Sequence, residues 1–235
     1  VAKLEGVKTA AELEAAARAF SEFGLTEAYK LIGADYSQHQ DGVKAYLQLR
    51  AEATPALLGL SKKDFDALGY KPYIDKRLTF DAKSGELQRL HTGYPWVEEG
   101  KLQNKLSGDK LQRLADAFLA KYQAAHFAKS KLRTVNYQPI VPYDYATYIW
   151  QDAYSQRFNY CQFANDIPFE GNYYYLGLNL ISGEVDYYNY AWDESVVFAP
   201  TDNTVSMQQA LGAYNAAFQA ELSFIDYPVK SEGGA

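Results

Sequence analysis

Three stretches of the chain carry apolar residues at helical spacing, and each begins with a residue suited to cap a helix. Leu13, Ala16, Ala17, Phe20 and Phe23 share one face of a helix predicted to start at Thr9 and end at Gly24. Thr9 and Glu12 form a capping box there: the hydroxyl accepts from the third backbone N–H, and the carboxylate reaches back to the cap. The second stripe is Leu111, Leu114, Ala115, Phe118, Leu119 and Tyr122, capped by Ser107, with Lys110 where the reciprocal acid would stand. The third follows Ser206 and Gln209, again a box, and runs through Ala210, Leu211, Tyr214, Ala217 and Phe218.

Between these stretches the pattern switches to alternation, which predicts strands. Residues 28–34 and 43–51 alternate around the turn signal Asp41-Gly42, and 77–82 and 86–91 form a hairpin across Lys83-Ser84-Gly85. Further on, strands are predicted over 131–138, 154–164, 172–180 and 184–192, the last two joined across Ile181-Ser182-Gly183. Residues 54–70, with Pro55 and Ser61, read as an inserted short helix or a pair of helical turns. Pro139 and Pro142 mark 139–150 as a loop or edge strand.

The pattern repeats. Ser107, Leu111 and Phe118 stand 98 residues after Thr9, Leu13 and Phe20, and the hairpin at Ser182-Gly183-Glu184 stands 98 after Ser84-Gly85-Glu86. Ser206 lies 99 residues after Ser107. The expected fold is therefore α+β: two tandem cystatin-like units, each a helix laid across an antiparallel sheet of about four strands. The expected divisions are 1–104, 105–202 and 203–235, the last a helix completing or starting a further repeat, as in a longer parent protein.

Charge narrows the partners. The net charge of −6 argues against a general affinity for nucleic acid or anionic membrane. Residues 1–104 carry 14 basic against 15 acidic side chains, and residues 105–235 carry 9 against 14. The second half is thus an acidic body, and it holds most of the 21 tyrosines. No apolar run is long enough for a membrane span. The chain begins at Val1 without a charged-then-apolar leader, as a cytosolic protein or a trimmed mature fragment would.

Residues 106–228 resemble the repeated domain of the YcdB/YcdC proteins, a relative of PepSY. The likeness rests on Ala117-Phe118-Leu119, Asn165-Asp166-Ile167-Pro168, the Ser182-Gly183-Glu184-Val185 hairpin, Trp192 and the Ser206 helix. Residues 9–96 resemble a diverged first copy, with Pro72-Tyr73 in place of Pro168-Phe169 and Trp96 near the place of Trp192. The family usually has Gly where this chain has Asp166, and often Arg where it has Gln162. The resemblance implies a secreted or cell-surface protein of Gram-positive bacteria, often S-layer associated. It also implies PepSY-like units and a non-catalytic role, with a peptidase or an envelope component as the protein or peptide partner.

Candidate chemistry is sparse. His39, His91 and His126 have no partner at metal-pair spacing, so no metal or cofactor is expected, and each reads as a surface or capping residue. The lone Cys161 lies in an alternating strand and reads as a buried structural thiol; a hydrolase using Cys161 is the outlying alternative. Glu86 and Glu184 occupy equivalent positions and would suit acid–base work only if the copies faced each other; both read as solvated. Asp193, Glu194 and Asp202 lack the glycine spacing of a calcium loop.

The aromatic hairpin is the better candidate. Tyr173 and Tyr175 should point away from the face that Tyr174 shares with Leu176 and Leu178. Tyr187 should lie on one face of the partner strand, and Tyr188, Tyr190 and Trp192 on the other. These six are the ligand-binding candidates, tyrosine giving contact area at low entropic cost. A structural spacer, with the rings packed between units, is the competing reading. Any specific site is expected where the copies differ or at the seam between them.

Overall fold

Thr9 caps the first helix as its spacing predicts. The Glu12 N–H donates to Thr9 Oγ1 at 3.3 Å, and Glu12 Oε2 accepts from the Thr9 N–H at 2.7 Å. This helix, α1 (Ala10–Arg18), ends well before Gly24. Arg18 folds back along the departing chain and donates to the carbonyls of Leu25, Thr26 and Tyr29. Phe23 falls in a 3-10 turn, Ser21–Phe23, which Gly24 closes at φ +59°.

The computed structural model describes residues 6–97, 101–103, 105–136, 154–164, 166–198 and 206–217. The chain separates into two units, 1–196 and 197–235. The first continues through β1 (Lys30–His39), β2 (Gly42–Glu52), α2 (Lys62–Asp66), β3 (Tyr73–Asp81) and β4 (Leu87–Gly93). It then runs through α3 (Gly108–Tyr122), α4 (Ala124–Phe127), β5 (Ser130–Asn136), β6 (Ser155–Ala164), β7 (Ile167–Asn179) and β8 (Val185–Ala191). In the second unit, α5 (Met207–Ala217) carries the predicted box: Ser206 N–H to Gln209 Oε1 at 2.9 Å, and Gln209 N–H to Ser206 Oγ at 3.2 Å. The loop expected over 139–150 lies outside the described residues.

The eight strands form one antiparallel sheet in the order β1-β2-β3-β4-β8-β7-β6-β5. The expectation of separate four-stranded sheets is corrected here. Two such sheets would leave β4 and β8 as edges with unpaired N–H and C=O groups, and pairing them removes both edges. Leu90 lies opposite Tyr188, with Arg89 opposite Asn189 and His91 opposite Tyr187.

The inner face packs on the helices. Leu47, Leu49, Leu78, Phe80, Phe158, Leu176 and Tyr188 share one core with Leu13 and Ala17 of α1 and with Leu111, Ala115, Phe118 and Leu119 of α3. The helices meet over the seam: the ring of Phe20 lies 6.5 Å from Phe118 and 4.6 Å from Tyr122. Glu22 accepts from Lys121 Nζ at 2.8 Å and from the Tyr122 hydroxyl at 2.7 Å.

Hydrogen bonds recur at the sequence period. Lys8 N–H donates to Ala82 O at 2.8 Å, and Leu106 N–H to Leu180 O at 2.7 Å. The hairpins turn alike: Asp81 Oδ1 accepts from the N–H groups of Lys83 and Ser84, and Asn179 Oδ1 from those of Ile181 and Ser182. The Ser84 and Ser182 hydroxyls then accept from the N–H groups of Glu86 and Glu184.

Candidate functional site

Strand alternation sends every second residue to the face opposite the helices. Register aligns these outer residues into two rows across the sheet. One row runs Gly33, Gln48, Arg77, His91, Tyr187, Gly177, Arg157. The next runs Asp35, Tyr46, Thr79, Arg89, Asn189, Tyr175, Asn159. Both cross the β4–β8 seam, and their residues are mostly polar or aromatic.

At the seam three side chains interlock. The Arg157 guanidinium lies 3.9 Å from the centre of the Tyr187 ring, and His91 meets the same ring edge-on at 6.1 Å. Gly177 permits this stacking, because a Cβ there would come within 2.9 Å of Tyr187 Cβ and 3.1 Å of Arg157 Cδ. Beside the stack lies a concavity of about 420 Å³, lined by Asp35, Tyr46, Arg77, Arg89, His91 and Tyr187 among others.

Cations on this face differ in how they are used. Arg50 grips Asp75 with two bonds, 2.7 and 2.9 Å, and holds its carboxyl below the usual range. Arg133 pairs with Glu170. Arg77 and Arg89, both exposed, make no hydrogen bond or ion pair among the described residues. Their positions one period later are held by Tyr175 and Tyr187. The face therefore carries guanidinium groups on one side of the seam and phenols at the matching places on the other.

The hairpin divides the six aromatic candidates. Tyr173, Tyr175 and Tyr187 lie on the outer face: Tyr173 and Tyr175 meet edge-on at 5.2 Å, and Asn159 Nδ2 donates to the Tyr175 hydroxyl at 3.1 Å. Tyr188, Tyr190 and Trp192 lie on the inner face. Tyr188 is 3% exposed and belongs to the core, while Tyr190 and Trp192 pack against it. Sequence reasoning missed Arg77, Arg89 and His91 as partners of Tyr187. Their alternation with Leu78 and Leu90 marks them as outward, but only the pairing of β4 with β8 brings them beside it.

Two clusters on the inner side hold polar groups. His126 stacks on Trp192 at 4.3 Å, its Nδ1 lies 2.7 Å from the Tyr174 hydroxyl, and its Nε2 lies 2.5 Å from Glu194 Oε1. This order of carboxylate, imidazole and hydroxyl is that of a nucleophile relay. Tyr174, however, is 0% exposed, and burial pushes its hydroxyl pKa upward, so the group is a poor nucleophile. One period earlier, Lys76 occupies the place of Tyr174. It is 1% exposed, donates to the Phe23 carbonyl, lies 3.7 Å from Glu184 Oε2 and sits 5.3 Å from the Tyr29 ring centre.

The remaining sequence candidates fall elsewhere. Glu86 and Glu184 do not meet; each crosses the seam, Glu86 to the Tyr190 hydroxyl and Glu184 to Lys76. Their expected solvation is thus only partial for Glu184. The Cys161 thiol is buried, and burial pushes its pKa up, the reverse of what a nucleophile needs. Asp193 accepts from Ser195, Glu194 is engaged by His126, and Asp202 lies outside the described residues. Among the described residues no three His, Cys, Asp or Glu side chains gather as a metal would need, and no helix is long and apolar enough to cross a membrane.

The fold is thus an α+β type: one antiparallel sheet with helices on its inner face and an aromatic, guanidinium-bearing outer face. Residues 12–192 match the family of the YcdB, YcdC repeated domain, and the chain belongs to that family. Among solved structures it is similar to the Bacillus megaterium YpeB C-terminal domain, with a TM-score of 0.50 and 13% identity over 88% of this chain and 74% of that one. At such identity the likeness is one of fold. No curated protein sequence matches it.

Proposed function

We propose that this chain is a non-catalytic binding module of an exported, cell-surface protein, and that the outer sheet face takes a protein or peptide partner. In this reading the two halves are copies of one helix-and-meander unit fused through β4 and β8. The hydrogen bonds that recur at both hairpins and before both helices support that view.

The single observation that carries the proposal is the His91–Tyr187–Arg157 stack beside an open concavity. It sits at the seam and uses positions at which the two halves differ. Core-forming positions recur at the period because a helix must pack on a sheet in both halves. Outer-face positions have no such constraint, so a concentration of Tyr, Arg and His there needs another reason. Aromatic and guanidinium side chains are the ones that dominate protein interfaces. A secreted peptidase held in check is one partner that suits the family resemblance.

The test is capture of partners from secreted and envelope fractions with the wild type and with the triple variant Tyr173→Ala/Tyr175→Ala/Tyr187→Ala. Loss of partners in the folded variant is the expected result. Retention of every partner removes the outer face from the account.

A further inference from the structure

We infer that the seam concavity selects partners through carboxylate side chains, so that the ligand is an acidic peptide segment docking on Arg77 and Arg89. This rests on the outer-face reading above and names its partner chemistry.

Arg50, Arg133 and Arg18 each pair with a carboxylate. Arg77 and Arg89 make no hydrogen bond or ion pair with a carboxylate among the described residues; Arg77 acts on Asp75 only through its field, that carboxylate being gripped by Arg50, and both arginines flank the same concavity. They lie in adjacent rows on neighbouring strands: Arg77 is opposite His91, and Arg89 is opposite Thr79. Two unengaged planar forks on one wall are a receptor for carboxylates, which guanidinium matches with paired hydrogen bonds.

The rest of the wall favours a peptide over a polyanion. Asp35, in the same wall, would repel a chain of uniform negative charge. Gln48 and Thr79 offer both donors and acceptors to a peptide backbone, and the rings of Tyr46 and Tyr187 offer apolar area. A segment with spaced acidic side chains satisfies all of these, with its carboxylates on Arg77 and Arg89 and its backbone over Gln48 and Thr79.

A random-peptide display library selected against the whole chain tests this. The wild type should enrich Asp- and Glu-bearing peptides, and added salt should weaken the selected peptides because the groove is exposed. The folded double variant Arg77→Glu/Arg89→Glu should lose them by about tenfold or more in affinity and enrich Lys- and Arg-bearing peptides instead. Thermal melts of both proteins confirm that the reversal leaves the fold intact. Enrichment without acidic bias, or an acidic bias that survives the charge reversal, overturns the inference while leaving a peptide-binding face in place. Inorganic polyphosphate that displaces the acidic peptides and binds more tightly than any of them overturns it in favour of a polyanion. Absence of any enriched peptide overturns both this inference and the outer-face reading.

Discussion

Tyr188 lies directly opposite Leu90 where β8 meets β4, and it stands 98 residues later in the chain. Their neighbours are exchanged in the same way: Arg89 faces Asn189, which follows His91 by one period, and His91 faces Tyr187, which follows Arg89 by one period. The sequence period is therefore also a rule of strand pairing, and the sheet reads alike from either end through the Leu90–Tyr188 pair. Above that pair Phe20 and Phe118, again one period apart, bring the helices together.

Tyr188 and Tyr175 should separate packing from surface. Tyr188→Ala empties a core position and should cost roughly 3–5 kcal/mol. Tyr175, 36% exposed on the outer face, should cost about 1 kcal/mol or less on truncation. Urea unfolding of the two variants checks this, and equal losses would contradict the assignment of faces.

Glu22 links the helices electrostatically. Burial works against its ionisation, but the hydrogen bonds from Lys121 and Tyr122 win and hold its pKa at about 2 against an ordinary 4.5. A depressed carboxyl adds stability that is fully present above 4.5 and lost as pH falls towards about 2. The wild type should lose its advantage over Glu22→Gln across that window, as read from urea midpoints at a series of pH values. A difference that does not change with pH would show that the contact carries no net charge energy.

Lys76 should behave as a buried charge held chiefly by Glu184, with Asp186 acting from further off. Glu184→Gln weakens its counterion and should destabilise by roughly 1–3 kcal/mol, whereas Lys76→Met should be far milder, because the apolar side chain removes the need for a partner. Burial lowers the Lys76 pKa, so the folded state sheds this proton before the unfolded state does. Stability relative to Lys76→Met should therefore rise as pH approaches 10.5 from below. Gly24→Ala should also be costly, since its φ is +59° and a Cβ would fall 2.1 Å from the Glu184 carboxyl carbon. A mild Gly24→Ala would contradict that packing.

Asp166 turns between β6 and β7 at φ +63°, the left-handed region. Glycine, usual there in the resembling family, adopts it without a Cβ penalty. Its pair with Lys131 is exposed and worth little. Asp166→Gly should leave the protein as stable or raise its stability by up to about 1 kcal/mol. A clear fall in melting temperature would show that the ion pair matters more than the backbone.

Much of this fold was legible because its landmarks are local. Thr9 with Glu12 and Ser206 with Gln209 announce helix starts through contacts three residues apart, and Ser84-Gly85 and Ser182-Gly183 announce turns. The start of β3 was hidden because Lys76 breaks the alternation; its partners, Phe23 and Glu184, lie far away in sequence. The single sheet was hidden for a similar reason, since nothing local in Leu87–Gly93 marks Val185–Ala191 as its neighbour. Alternation correctly separated Tyr173 and Tyr175 from Tyr174, yet the arginines beside Tyr187 come from another part of the chain and needed the strand order.

The most direct test of the binding face is site-specific photo-cross-linking of a captured partner. One probe replaces Thr79, in the wall of the concavity, and another replaces Ala15, exposed on α1. A partner seated on the outer face cross-links from position 79 and not from position 15. Cross-links from position 15 alone would place the partner on the helices and contradict the outer-face reading.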